Sequence, residues 1–257
     1  SNYRIVGFTQ DVPIGELAAL AHRCGVIAVD DLGSGALVDL KAWGLPDEPR
    51  VADSLSAGAD LACFSGDKLI GGPQCGIIVG KKDLIERIEA NPLMRTYRVG
   101  KLTLLALEAT LRSYQDPDEA SQHAPALAML TASTEELALR ARALLEQLEK
   151  ALPDEHFFVC SDVGFAGGGS MPGRELETVV VQWRPEGQSV ESAASALRQA
   201  DVPVVARIRN DAICLDLRTL REMDFDDLIS SVQMAAFEVG PADESDSDPC
   251  RETNNHD

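Results

Sequence analysis

Lys68 is the residue of this sequence whose type and setting point most directly to chemistry. It lies in a glycine-rich turn, with Asp67 directly before it and Ser65 three residues before it. Short apolar runs, residues 59–64 and 75–80, flank the turn, and runs of this length bounded by glycines are typical of buried strands. Packing against apolar surface disfavours the charged form of an amine, and the uncharged amine is the one that attacks a carbonyl carbon. The turn therefore predicts a Schiff-base lysine, with an ordinary surface lysine as the alternative.

Asp31 is the second candidate, because it follows the apolar run of residues 26–29 and precedes Gly33, Ser34 and Gly35. A carboxylate at the carboxyl end of a parallel strand lies at the edge where α/β folds bind ligands. The interval between Asp31 and Lys68 leaves room for one crossover and one strand. An acid for a pyridinium nitrogen, followed along the chain by a lysine, is the order of pyridoxal-phosphate enzymes of the aspartate aminotransferase fold.

The full set of motifs resembles the bacterial selenocysteine synthase family, the L-seryl-tRNA(Sec) selenium transferases. The strongest matches are SNYRIVGF at residues 1–8, DLGSG at 31–35, FSGDKL at 64–69 and GGPQ at 71–74. The likeness continues through residues 76–82, 92–93, 95, 98–99 and 107–112, and more loosely through 167–170 and 215–218. Gly100 departs from the family, in which an acidic residue is expected before Lys101.

The resemblance implies a pyridoxal-phosphate-dependent transferase of fold type I. Lys68 would hold pyridoxal 5'-phosphate as a Schiff base and move the substrate α-proton. Asp31 would keep the pyridine nitrogen protonated, and Asp67 would be required for activity. The cofactor-binding set implied in this way is Lys68, Asp31, Ser65, Gly33 and Ser34.

The resemblance also implies the substrates and the assembly. The reaction would convert L-seryl-tRNA(Sec) to selenocysteinyl-tRNA(Sec) through an aminoacrylyl intermediate, with selenophosphate as the selenium donor. Arg95 and Arg98 match arginines that bind the phosphate-like part of this donor, and guanidinium groups are planar clamps for such oxyanions. The family further implies a homo-oligomer.

Composition places the chain among ordinary globular proteins. Its 257 residues are 45% hydrophobic and 25% charged, and no apolar run approaches the ~20 residues that span a bilayer. Six cysteines without paired spacing indicate a reducing cytoplasm, with neither a disulfide framework nor a zinc site. The net charge of −19 argues against a general nucleic-acid surface, so a tRNA would need a local basic patch or an element outside this chain.

We expect a partial large domain over residues 1–116, with a mostly parallel sheet and helices. A small α+β domain is expected over 117–240 and a disordered acidic tail over 241–257. Because residues 4–8 are predicted to be a strand inside the sheet, the chain is interpreted as a C-terminal fragment. The tRNA-binding domain and the N-terminal half of the cofactor pocket would then lie elsewhere.

Three features of the second half carry less specific predictions. The turn at Arg209, Asn210 and Asp211 predicts a hairpin between two strands. Arg207 and Arg218 are either structural or bind a substrate carboxylate, and the glycine run at 167–170 is either a flexible loop or a phosphate-binding backbone segment.

Two other functions fit the same residues. A related lyase could use this scaffold on a small phosphorylated amino sugar or amino acid, with Arg95 and Arg98 on the substrate phosphate. A non-catalytic remnant that serves as an assembly partner would keep the strands but lack half of the cofactor pocket.

Overall fold

The computed structural model describes residues 7–45, 48–167, 171 and 173–237. Three predicted features therefore lie wholly or largely outside the described residues: the strand over residues 4–8, the glycine run beyond Gly167, and the acidic tail over residues 241–257. Contacts between Cα atoms divide the chain into two units. The first unit comprises residues 1–133 and 163–177, and the second comprises residues 134–162 and 178–257.

The first unit is built on a three-stranded sheet in the order β1-β2-β3. β1 (Val29–Gly33) runs parallel to β2 (Leu61–Ser65), and β2 runs antiparallel to β3 (Gly76–Gly80). Around the sheet lie helices α1 (Ile14–Arg23), α2 (Val51–Ser56), α3 (Lys82–Glu89), α4 (Met94–Tyr97), α5 (Lys101–Ser113), α6 (Pro117–His123) and α7 (Pro125–Thr131).

β1 differs from the predicted strand in its position. The apolar run was expected to form the strand and Asp31 to follow it, whereas β1 begins at Val29 and contains Asp31. Val26 and Ile27 are about half exposed and precede the ladder. The amide of Ala28 donates to the buried carboxylate of Asp60 rather than to a strand partner. Pairing with β2 begins one residue later, at Val29.

One sheet face of the first unit is closed by apolar packing. Alternate residues of β2, Ala62 and Phe64, are buried in a cluster with Val51 and Ile70. A second cluster joins Leu69, which follows the lysine, to residues of α6 and α7: Ala120, Ala124 and Leu127. This packing places α6 and α7 in the first unit, so the contact division falls after Ser133, later in the chain than the boundary predicted after residue 116.

The second unit contains α8 (Thr134–Ala151), α9 (Val190–Gln199) and α10 (Phe225–Phe237). Its four-stranded sheet has the order β4-β5-β7-β6, in which β4 spans His156–Phe165 and β5 spans Glu175–Arg184. β6 (Arg207–Ile208) and β7 (Ile213–Asp216) form the predicted hairpin, with positive φ at Asn210 and Asp211 as a two-residue turn requires. The core surrounds the fully buried Trp183, whose ring stacks on that of the buried Phe157 at 6.2 Å between centroids.

Within the described residues, no helix is long and apolar enough to cross a bilayer.

Candidate active site

The turn that carries Lys68 is closed by backbone hydrogen bonds on both sides. The Gly66 amide donates to the Cys75 carbonyl at 2.9 Å, and the Gly72 amide donates to the Gly66 carbonyl at 2.8 Å. Within the turn, the Gly71 amide donates to the carbonyl of Lys68 at 2.9 Å. These bonds fix the backbone at both ends of the turn, so the half-buried Lys68 projects from a defined frame rather than from a free loop.

Close packing explains the glycine at the start of this turn. A Cβ on Gly66 would lie 2.6 Å from the Cys75 sulfur and 2.9 Å from the Pro73 carbonyl oxygen. Burial, and secondarily the nearby charge of Asp67, raises the pKa of the Cys75 thiol, which therefore stays neutral. Cys75 is thus a packing residue beneath the turn.

Tyr114, at the end of α5, ties the turn to the helix layer. Its hydroxyl lies 3.1 Å from the carbonyl oxygen of Leu69 and 3.0 Å from that of Ile70. Burial raises the pKa of Tyr114 to about 12, so the phenol remains protonated and can donate. Sequence reasoning did not find this residue, because 46 positions separate it from Lys68 and nothing local marks the contact.

The parallel pairing of β1 with β2 places Asp31 on the strand next to the one that leads into the lysine turn. Asp31 is the register partner of Cys63, and Ser65 ends the same strand three residues before the lysine. Because side chains alternate along a strand, Asp31, Cys63 and Ser65 share the face opposite the buried Phe64. Asp31 is exposed and Ser65 is half-buried, so an acid and a hydroxyl are open at this edge.

The loop after β1 is fixed by a buried hydrogen bond and by close packing against β2. The Ser34 hydroxyl is buried and donates to the Glu48 carboxylate at 2.6 Å. At Gly35, where φ is +74°, a Cβ would lie 2.6 Å from the Phe64 ring. The predicted cofactor residue Ser34 therefore uses its proton within the chain, and its role toward a ligand, like that of Gly33, stays a prediction.

Arg95 and Arg98 lie in α4 and directly after it, and both are exposed. Across the residues described, neither guanidinium forms an ion pair or a side-chain hydrogen bond, although the chain carries 42 acidic residues. Among the described residues, no hydrogen bond or ion pair joins them to the turn of Lys68, so their place in the same site stays a prediction.

The arginines of the second unit are placed differently. Arg207 pairs with Asp162 at 3.1 Å and with Asp216 at 2.9 Å, and Arg209 also pairs with Asp162. Burial lowers the pKa of Arg218. These contacts give Arg207 a structural explanation, while its proposed alternative, binding of a substrate carboxylate, remains open.

Two shallow depressions lie away from the lysine turn. One, of about 420 Å³, runs along α5 beside Leu104 and Leu111, and the other, of about 500 Å³, lies between Leu61 and α3. Neither of these two depressions is lined by Lys68 or Asp31.

These features define a class of protein. The architecture is a mixed α/β sheet with helices, followed by an α+β unit, and the lysine turn follows a strand parallel to an acid-bearing strand. A solved D-glucosaminate-6-phosphate ammonia-lyase superposes with a TM-score of 0.53 at 18% identity, covering 88% of this chain and 53% of that one. The fold predicted from the sequence, an α/β domain followed by a smaller α+β domain, is confirmed, and the likeness to this lyase shows the fold alone.

The chain belongs to the L-seryl-tRNA selenium transferase family, whose model matches residues 1–221. The L-seryl-tRNA(Sec) selenium transferase of Nitratidesulfovibrio vulgaris is 45% identical over 236 residues, which cover 91% of this chain and 50% of that protein. The corresponding protein of Solidesulfovibrio magneticus is 49% identical over 225 residues, covering 86% and 48%. The chain therefore spans about half the length of the curated relatives that it matches.

Proposed function

We propose that the protein is a pyridoxal-phosphate-dependent enzyme that converts L-seryl-tRNA(Sec) to selenocysteinyl-tRNA(Sec) with selenophosphate. The observation that carries the proposal is the lysine turn placed beside an acid-bearing parallel strand, in a chain of this family. The identities of 42–49% to proteins named for this activity support it.

The residues present at the edge fit the cofactor. An amine at Lys68 and an open carboxylate at Asp31 are the two groups that an aromatic aldehyde with a ring nitrogen requires, and Ser65 adds a hydroxyl for its phosphate. When bound, pyridoxal phosphate supplies an electron sink for the carbon that loses its proton. Lys68 would hold the cofactor through its amine and, once the seryl amine has displaced it, would accept the substrate α-proton at Nζ. Asp31 holds a proton at the ring nitrogen.

The remaining groups serve the substrates. Arg95 and Arg98 carry guanidinium groups without an internal partner among the described residues, and such groups favour phosphate-like oxyanions. They bind the phosphate part of selenophosphate and orient its selenium toward the β-carbon of the seryl group. Asp67, which is exposed and directly precedes the lysine in the sequence, is assigned to the step that expels the seryl hydroxyl.

The acidity of the chain restricts how tRNA is bound. With a net charge of −19, long-range attraction of a polyanion is unfavourable, so contacts must be local or supplied by other parts of the assembly. A homo-oligomer in the cytoplasm, where the aminoacylated tRNA is available, completes the proposal. The described cysteines are free, which agrees with a reducing compartment.

The alternative lyase on a small phosphorylated amine is not favoured. The relatives named as selenium transferases share more than 40% identity with this chain, whereas the ammonia-lyase likeness, at 18%, carries the fold alone. A non-catalytic remnant is also less well supported, since the lysine, both acids and both arginines are all present.

The test uses the protein expressed from its complete gene. Borohydride reduction of the pyridoxal-phosphate-loaded protein, followed by peptide mass spectrometry, is expected to place the pyridoxyl group on Lys68. Incubation with seryl-tRNA(Sec) and selenophosphate should then yield selenocysteinyl-tRNA(Sec). Labelling of a different lysine, or turnover of a small phosphorylated amine without tRNA, would overturn the proposal.

A further inference from the structure

Cys63 occupies a position beside Asp31 that the proposed mechanism does not use. The two residues are register partners across the parallel pairing of β1 and β2, so their side chains leave the sheet on the same face. On the opposite face of β2, Ala62 and Phe64 are buried in the apolar cluster, which fixes the direction in which Cys63 points. The neighbour of Cys63 on its other side is Ile78 of β3.

The thiol is in the protonated state that a donor needs. Burial, and next the negative charge of the neighbouring Asp31, raises the pKa of the Cys63 thiol. A more distant contribution comes from Asp30. A thiol with a raised pKa is a poor nucleophile at neutral pH, which argues against a covalent role and for a hydrogen-bonding one.

We propose that Cys63 is a positioning residue whose S–H donates to one oxygen of the Asp31 carboxylate, leaving the other oxygen for the ring nitrogen of pyridoxal phosphate. This proposal rests on the proposed function. An exposed aspartate on a strand samples several rotamers, and a hydrogen bond from the neighbouring strand restricts them. Cys63 thereby lowers the cost of ordering Asp31 when the cofactor binds.

The first measurement tests the contact without any cofactor. The S–H stretching band of Cys63 is assigned by infrared difference spectroscopy between the wild type and Cys63→Ser, which lacks this band. Asp31→Asn is expected to shift the band, because a neutral amide oxygen is a weaker acceptor than a carboxylate. Asp30→Asn is the matched control, since its side chain leaves β1 on the other face, and it should leave the band in place. An unchanged band in Asp31→Asn overturns the proposal.

The second measurement tests the positioning role. Cys63→Ala is expected to weaken pyridoxal phosphate binding about fivefold and to lower the pH at which the absorbance of the bound cofactor changes. Cys63→Ser, which keeps a donor, should restore both. Cys160→Ala, which removes another half-buried thiol, is the control and should behave as the wild type.

The outcomes separate the two proposals. A Cys63→Ala protein with wild-type affinity and an unchanged pH profile overturns the positioning role. If Cys63→Ala does not fold, the same comparison is made with Cys63→Val, which lacks a donor but suits a strand. A wild-type protein that does not bind pyridoxal phosphate overturns the proposed function, while the infrared band still decides whether Cys63 donates to Asp31.

Discussion

The two ends of β2 present polar clusters of opposite character. At the amino end, the carboxylate of Asp60 is 4% exposed and accepts hydrogen bonds from the Ala28 amide at 2.7 Å, Lys81 Nζ at 2.6 Å and His22 Nε2 at 3.1 Å. At the carboxyl end, Asp31 and Asp67 are exposed and Lys68 is half-buried. Within the described chain, the amine of Lys68 has no hydrogen bond or ion pair.

This difference separates a structural acid from acids that are available to a ligand. Asp60 joins α1, the entry to β1 and the end of β3 at one buried point, and its partners hold its pKa well below the ordinary range. All of its hydrogen-bonding capacity serves the fold. Among the described residues, no charged side chain pairs with Lys68, and Asp31 and Asp67 are exposed, which leaves these groups available to bind a substrate or cofactor.

The largest effect is expected for Lys68→Ala compared with Lys81→Ala. Lys68→Ala should lower the formation of selenocysteinyl-tRNA(Sec) by about 10³-fold or more, because the amine and the proton acceptor are lost, with little change in Tm. Lys81→Ala should lower Tm by several degrees and keep the activity below its new Tm, because Asp60 loses a charged partner. If Lys68→Ala has the lower Tm of the two variants, the distinction between a functional Lys68 and a structural Lys81 is wrong.

Two glycines offer a second paired test, read by urea unfolding and by pyridoxal phosphate titration. At Gly80, where φ is +150°, a Cβ would run into the Asp60 carbonyl oxygen, so Gly80→Ala should cost about 3 kcal/mol of stability or more. Gly66→Ala should cost about 2 kcal/mol, since Cys75 can shift, but should also weaken cofactor binding by displacing the lysine turn. Unaltered cofactor affinity in Gly66→Ala would show that the turn does not position the amine.

Arg95 and Arg98 lie outside the sheet edge and have no internal partner among the described residues. Substituting them tests whether such unpartnered charges bind the substrate. Arg95→Ala and Arg98→Ala should each raise the KM for selenophosphate by about tenfold, as expected for a lost charge-assisted hydrogen bond, with unchanged Tm. Arg112→Ala is the control, because Arg112 already pairs with Glu108 at 2.7 Å on α5. Equal effects of all three substitutions on KM would remove the assignment.

Acid unfolding tests the amino-end cluster alone. Because the pKa of Asp60 is lowered in the folded protein, its contribution to stability is present above its ordinary value of 3.8 and is lost as the pH falls below it. Asp60→Asn should therefore be less stable than the wild type at pH 6, and the difference should shrink toward pH 2.5. The measurement is the urea midpoint of both proteins across this pH range. A difference in stability that stays constant with pH would contradict the lowered pKa of Asp60.

The smallest effect is expected for Tyr114→Phe, which should cost about 1 kcal/mol through the lost hydrogen bond to the lysine turn. The pKa of Tyr114 is raised to about 12 from 10.0, so its ionisation is disfavoured in the folded protein. Below pH 10 this adds no pH dependence, and between pH 10 and about 12 it makes the wild type lose stability as the pH rises. Tyr114→Phe should flatten that interval, as measured by chemical denaturation.

Much of the local structure could be predicted from the sequence. The strands around Lys68, the helix at α1 and the hairpin at Asn210 and Asp211 follow from apolar runs, glycines and turn residues, which act over a few positions. The start of β1 could not be predicted, because it depends on Asp60, which lies 32 residues beyond Ala28. The exposure of α5 could not be predicted either. Its apolar residues predict burial, although none of them is buried in the described chain.

By itself, the sequence determined the family, the α/β class and the candidate residues, since motif strings and hydropathy patterns are properties of neighbouring positions. Only the tertiary structure decided which polar groups are partnered. In the folded chain, Asp60 pairs with His22 and Lys81, and Ser34 donates a hydrogen bond to Glu48. The Tyr114 hydroxyl donates to a carbonyl oxygen of the lysine turn. Each choice joins residues 14 or more positions apart, and such contacts depend on strand register and helix packing rather than on any local pattern.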